Sequence, residues 1–246
     1  WDEILPALAE YRPAGTLRPG TLRVVSEPLS VRGRIGLDAV KLVLPDGPEI
    51  GLQGALEGTG DALKLVDVAL TTGGETVKVG GEVSDLSAER MRYRLALDSD
   101  GAETNTLVTA FTAMDDQVYG PLYLDTDLSG RTADPSLEAL TGRVDFAIRP
   151  GKIEGVSPLQ LTVAKLGTFG EAALLAAALD KPARAQSIER YYGDEFEELA
   201  GTFDVAGGWA RTRDLRLVYD GYRMDLVGGY RLADGGLDFK GTLTLE

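Results

Sequence analysis

Leu237-Asp238-Phe239-Lys240-Gly241-Thr242-Leu243-Thr244-Leu245 ends the chain with a period of two. Leu237, Phe239, Leu243 and Leu245 fall on one side, and Asp238, Lys240, Thr242 and Thr244 on the other. Successive side chains of an extended strand point to opposite faces, so the run predicts a strand with one apolar and one wetted face. That is the pattern of antiparallel sheets.

Working back along the chain, the same alternation recurs. Tyr222, Met224 and Leu226 oppose Arg223 and Asp225, and Leu215, Leu217 and Tyr219 oppose Arg216 and Val218. Val144, Phe146 and Ile148 alternate with Arg143, Asp145, Ala147 and Arg149, and Tyr93, Leu95 and Leu97 with Arg92, Arg94 and Ala96. Asp-Gly pairs at 46–47, 100–101, 220–221 and 234–235 stand between such runs and predict hairpin turns. Glycine, at 31 of 246 residues, is nearly twice its usual share of about 7%, as a chain of many turned strands requires. The fold class expected is mainly β: an elongated, curled antiparallel sheet, groove-like, with a few short helices.

Roughly 14 to 18 strands at ~4.8 Å each would make a sheet about 70–85 Å long, and strands of ~7 residues a wall about 23 Å high. So long a sheet curls into a trough or folds over as a closed sandwich. Helix is expected at 1–11, at 103–114 and chiefly within 157–200. There Ala172–Leu179 is rich in helix formers, and a second turn at 194–200 would be capped by Asp194 and favoured by Glu195, Glu197 and Glu198. Leu159 to Val163 alternates like a strand, and local pattern leaves that stretch open. Ser129–Pro135 divides the chain, giving sections 1–128 and 140–246 around a linker or short helix at 129–139, unless a single groove runs through both.

The chain has no His and no Cys. That excludes Ser-His-Asp and Cys-His nucleophiles, zinc and copper sites built on those residues, haem ligation by either and any disulfide. With 25 basic against 39 acidic residues the formal charge is −14, which disfavours nucleic acid and direct adhesion to anionic lipid surfaces. Asp98-Ser99-Asp100-Gly101-Ala102-Glu103 has calcium-loop character but places its glycine at the wrong step, and a hairpin turn is the simpler reading. Gly58-Thr59-Gly60 lacks the third glycine and the following helix of a dinucleotide loop. Asp194, Glu195, Glu197 and Glu198 suit a helix start better than an acid/base pair, and Asp115-Asp116 and Asp125/Asp127 read as a turn and a solvated strand face. No catalytic residue, metal or cofactor is expected. The residues singled out as lining an apolar groove are Tyr93, Leu95, Leu97, Val144, Phe146, Ile148, Leu215, Leu217, Tyr219, Met224, Leu226, Leu237, Phe239, Leu243 and Leu245.

Leu140-Thr-Gly-Arg-Val-Asp-Phe-Ala-Ile-Arg-Pro-Gly-Lys-Ile-Glu-Gly155 is followed by an Ala/Leu segment and then by a glycine-turned series. In that series Gly207-Gly208 leads to Arg213-Asp214-Leu215, then Tyr222 to Leu226, Gly228-Gly229-Tyr230 and Gly236-Leu237-Asp238-Phe239. Upstream, Gly73-Gly74-Glu75-Thr76-Val77-Lys78-Val79-Gly80-Gly81 has the same style. The ordered series, over residues 33–246, resembles the C-terminal region of the AsmA family, related to TamB. The resemblance implies a Gram-negative envelope protein held in the inner membrane by an anchor absent from this sequence, with its body in the periplasm. It implies an elongated β-groove that moves phospholipids between the two membranes and supports outer-membrane homeostasis, with a phospholipid or other acyl-chain lipid as ligand; the alternative reading is a closed β-sandwich, a structural or interaction module whose edges or 157–200 segment dock an envelope protein partner. It carries over no catalytic residue. Starting at Trp1, the sequence reads as a processed chain or an excised segment.

Overall fold

The structure, a computed structural model, describes residues 12–43, 48–111, 117–132, 134, 137–155 and 193–245. In chain order the strands are β1 (Ala14–Ser26), β2 (Leu29–Val43), β3 (Glu49–Gly60), β4 (Ala62–Thr72), β5 (Glu75–Ser84) and β6 (Arg92–Glu103). The helix α1 (Thr104–Phe111) precedes β7 (Val118–Tyr119), β8 (Pro121–Arg131), β9 (Thr141–Ile148) and β10 (Gly151–Ile153). The chain then resumes with β11 (Glu195–Phe196), β12 (Glu198–Ala206), β13 (Trp209–Tyr219), β14 (Tyr222–Arg231) and β15 (Leu237–Leu245).

Twelve of these strands form one sheet in the order β1-β2-β3-β4-β5-β6-β8-β9-β12-β13-β14-β15, every neighbouring pair antiparallel. Chain order is sheet order, and among the described residues β1 and β15 are the edges and do not pair with each other, so the sheet is an open, curled meander and not a barrel. Its strands, 8 to 15 residues long, exceed the expected ~7. Eleven spacings at ~4.8 Å give a stacked length of about 53 Å, shorter than the sequence suggested.

The curl has a local cause. Extra residues open β-bulges near 19–20 in β1, 38–39 in β2, 66–67 in β4 and 213–214 in β13, and a bulged strand bends and twists more strongly. Ala39 and Asp67 adopt positive φ there, 50° and 49°. Two tight turns use glycine where the backbone demands it: Gly73-Gly74 and Gly207-Gly208 both have positive φ at both positions, as two-residue type I′ hairpins require.

The second sheet is a small one, β11-β10-β7. It lies with α1 at the rim where β6 and β9 end and β8 and β12 begin. Its Phe196, Val118 and Ile153 pack on Ile148, Leu217, Tyr219 and Tyr222. Leu107 of α1 closes over Val77 and Ala102. The opposite rim holds the β1–β2, β3–β4, β12–β13 and β14–β15 turns. Among the described residues the three short strands of the small sheet do not make a second layer, and the large sheet is a trough lidded at one rim.

Several local expectations are corrected. Residues 194–200 form strand, not helix: Phe196 is 3% exposed against Tyr219 and Leu199 faces Ile148, so period-two burial overrides the helix-start acids. Asp98 to Glu103 is no hairpin turn but the end of β6, where Gly101 (φ +88°) forms a bulge opposite β8. Ser129–Arg131 belong to β8, which pairs with β9, so the sheet runs unbroken across the stretch read as a linker. Asp220-Gly221 and Asp234-Gly235 do turn hairpins, between β13 and β14 and between β14 and β15. Helix at 103–114 is realised as α1. Asp46-Gly47, Asp115-Asp116, the helices at 1–11 and Ala172–Leu179, and Leu159 to Val163 lie outside the described residues.

Candidate functional site

Register carries each alternating run into the next. One row of directly paired residues crosses eleven strands from β2 to β15: Ile35, Leu56, Leu65, Gly81, Leu95, Leu128, Gly142, Val205, Ala210, Tyr230 and Leu237. No charged side chain interrupts it. Nearer the lidded rim a parallel row runs Ala102, Leu122, Ile148, Leu199, Leu217, Met224 and Leu243. Between them lie Leu97, Thr126, Val144 and Phe203 on successive strands, and Phe146 stacks on Phe203 with ring centroids 6.0 Å apart.

All fifteen groove candidates read from the sequence fall on this inner face. Their burial is graded. Ile148, Leu217 and Tyr219, under the lid, are buried; Tyr93, Leu95, Leu97, Val144, Phe146, Leu215, Met224, Leu226, Phe239 and Leu243 are half-buried; Leu237 and Leu245, on the β15 edge, are exposed. A second apolar cluster, around Leu37, Val40, Val68 and Val79, extends the face across β1–β6. The sequence pattern hides its β1–β5 part because the bulges shift parity: Leu37 and Val40, or Leu65 and Val68, share a face three residues apart. The pattern Val31, Gly33, Ile35, Leu37 against Arg32 and Arg34 was the signal available.

The lidded corner is aromatic. Tyr219 and Tyr222 stack at 4.7 Å with planes 6° apart, and Phe196 meets Tyr219 edge-on at 6.2 Å. Burial, and secondarily the Asp194 charge, push the Tyr219 phenol up to about 12. Asp194 and Glu154 hold Lys152 of β10 at 3.3 and 2.6 Å, fastening the small sheet.

The outer face is ionic. Lys78 pairs with Asp98 (3.1 Å), Lys64 with Glu82 (3.4 Å), Arg94 with Asp127, Arg149 with Glu198 (3.2 Å) and Arg216 with Asp225 (3.1 Å). Asp145 accepts from Arg143 at 2.7 Å and from the Thr202 hydroxyl at 2.6 Å, and these bonds hold its carboxyl below its ordinary range. Asp214, in the β13 bulge, is lowered chiefly by the Thr202 backbone N–H at 2.9 Å. Such exposed pairs add little stability each, yet they keep this face wet and fix which side of the sheet faces water. A depression of about 550 Å³ on this side is lined by the charged Asp125, Asp145, Arg149, Glu198 and Arg216 together with Tyr123, Phe146, Ala147 and Ala200. Among the described residues no His, Cys, Asp and Glu cluster could hold a metal ion, and no helix is long and apolar enough to cross a membrane.

No protein-family profile, curated protein or solved structure matches the chain.

Proposed function

We propose that the sheet is a section of a lipid conduit, shielding phospholipid acyl chains along its inner face, within a periplasmic, inner-membrane-anchored protein of AsmA type that serves intermembrane lipid transport and outer-membrane homeostasis. The observation that carries the reading is the apolar row crossing eleven strands on a face that no second layer covers among the described residues. Half-buried aliphatic side chains leave apolar surface to be removed from water at ~25 cal/mol per Å². An occupant with long hydrocarbon tails supplies that burial, and the ionic outer face keeps the opposite side solvated. Equivalent aliphatic contacts on successive strands favour sliding over lodging at one position. The ordered glycine turns, which resemble the AsmA C-terminal region, supply the envelope setting.

The test is to purify the chain from a Gram-negative host and extract it for lipid mass spectrometry, with crosslinking from a photoreactive residue at position 95 or 226. Copurified phospholipid crosslinked at both positions is expected. A chain free of lipid, with neither position crosslinking, would refute the conduit.

A further inference from the structure

The net charge of −14 conceals a strong asymmetry. Residues 12–43 carry six basic residues and two acidic ones, a local +4, which leaves −18 on the remainder. Within that segment the β1–β2 hairpin places Arg23 directly opposite Arg32. Both are exposed, and among the described residues no carboxylate pairs with either. Arg34, two residues on, faces Glu57 across β3, and Arg18 is held by Asp38 at 3.2 Å. Like charges directly opposite in a sheet repel, so Arg23 and Arg32 gain from an anion lying over them.

The same hairpin ends in exposed apolar surface. Val24 is 59% and Val25 42% exposed, and as neighbours in a strand they point to opposite faces. The last β2–β3 pair is Val31 with Gly60, so Val25-Ser26 and Leu29-Ser30 project beyond β3. This tip stands at the rim opposite the lid, where Glu27 is the only acidic residue of its turn.

We infer that the β1–β2 tip docks on a bilayer surface that displays anionic phospholipid headgroups, with Arg23 and Arg32 over phosphates and Val24 and Val25 in the interfacial layer. An acidic protein would satisfy the arginines but would leave Val24 and Val25, exposed on opposite faces near the end of the hairpin, in water. A bilayer interface satisfies both. The inference rests on the hairpin alone and is independent of what the groove carries.

Flotation of the full chain with vesicles of phosphatidylcholine, with and without phosphatidylglycerol, tests it. Binding is expected only with phosphatidylglycerol and should weaken with salt. Arg23→Gln/Arg32→Gln should lower it about 30-fold, at the ~1 kcal/mol expected per arginine near an anionic surface. Val24→Ser/Val25→Ser should lower it about tenfold or more. Glu27→Gln should tighten it about fivefold, a gain that misfolding cannot produce. Equal binding to both vesicle types, binding unchanged in these variants, or capture by heparin without binding to vesicles would each overturn it. Lipid mass spectrometry that fails while flotation succeeds would discard the conduit and keep the tip.

Discussion

Tyr219 shows what burial at the lidded rim does to a single group. It is 4% exposed, stacked on Tyr222 and edged by Phe196, and its hydroxyl has no hydrogen-bond partner among the described residues. Its phenol is raised from the ordinary 10 to about 12 because ionisation would place a charge in an apolar corner close to Asp194. The folded state therefore holds this proton more tightly than the unfolded chain does. The resulting stability is fully present below pH 10 and is lost as pH rises towards 12. Tyr219→Phe should remove that alkaline sensitivity and, by deleting a buried hydroxyl without a partner, raise stability at neutral pH by about 1 kcal/mol. Urea unfolding at neutral and alkaline pH measures both effects. A variant less stable at neutral pH would show that the hydroxyl is satisfied in the folded protein, and one that keeps the alkaline loss would show that another group causes it.

Among the elements, the hairpins separate two uses of glycine that the sequence does not distinguish. Gly207 (φ +57°) turns β12 into β13 in open space, so a side chain there meets only the conformational penalty of the left-handed region. Gly142 (φ +144°) sits in β9 where a Cβ would run into the Asp127 carbonyl oxygen and the Leu128 backbone of β8. Gly207→Ala should cost about 1 kcal/mol in chemical denaturation, whereas Gly142→Ala should cost at least about 3 kcal/mol by parting β8 from β9. Equal costs would mean that β9 can shift to accept a side chain. The same contrast explains what was legible beforehand. Runs such as Val144 to Ile148 and Leu237 to Leu245 keep strict alternation, so their faces were readable residue by residue. Leu37 to Val40 and Leu65 to Val68 were not, because a bulge inserts one residue and shifts the parity, and nothing local in Asp38-Ala39 or Asp67 announces it. The acids around Asp194 misled for the opposite reason. Local propensity favours a helix there, but Phe196 and Leu199 find partners in the core only if the backbone is extended.

For the molecule as a whole, an open trough with one lidded rim assigns different work to residues that look alike in sequence. Leu217 and Phe239 both sit at alternating apolar positions of neighbouring C-terminal hairpins. Leu217 is 6% exposed and packed beneath Phe196 and Ile148, whereas Phe239 lies half-buried on the edge strand, away from the lid. A carboxylate at position 217 would be buried without a partner, so Leu217→Asp should destabilise by about 3–5 kcal/mol and abolish a cooperative transition. Phe239→Asp leaves its charge in contact with water, so the far-UV spectrum and melting transition should survive at a cost of about 1–2 kcal/mol. Under the conduit reading it should nevertheless lower the amount of copurified phospholipid severalfold, because a charge on the inner face repels hydrocarbon. Loss of folding in both variants would point to an inner face sealed along its whole length. Survival of folding and of lipid in Phe239→Asp would place any occupant away from the β15 edge, on the half of the face built by β1–β6.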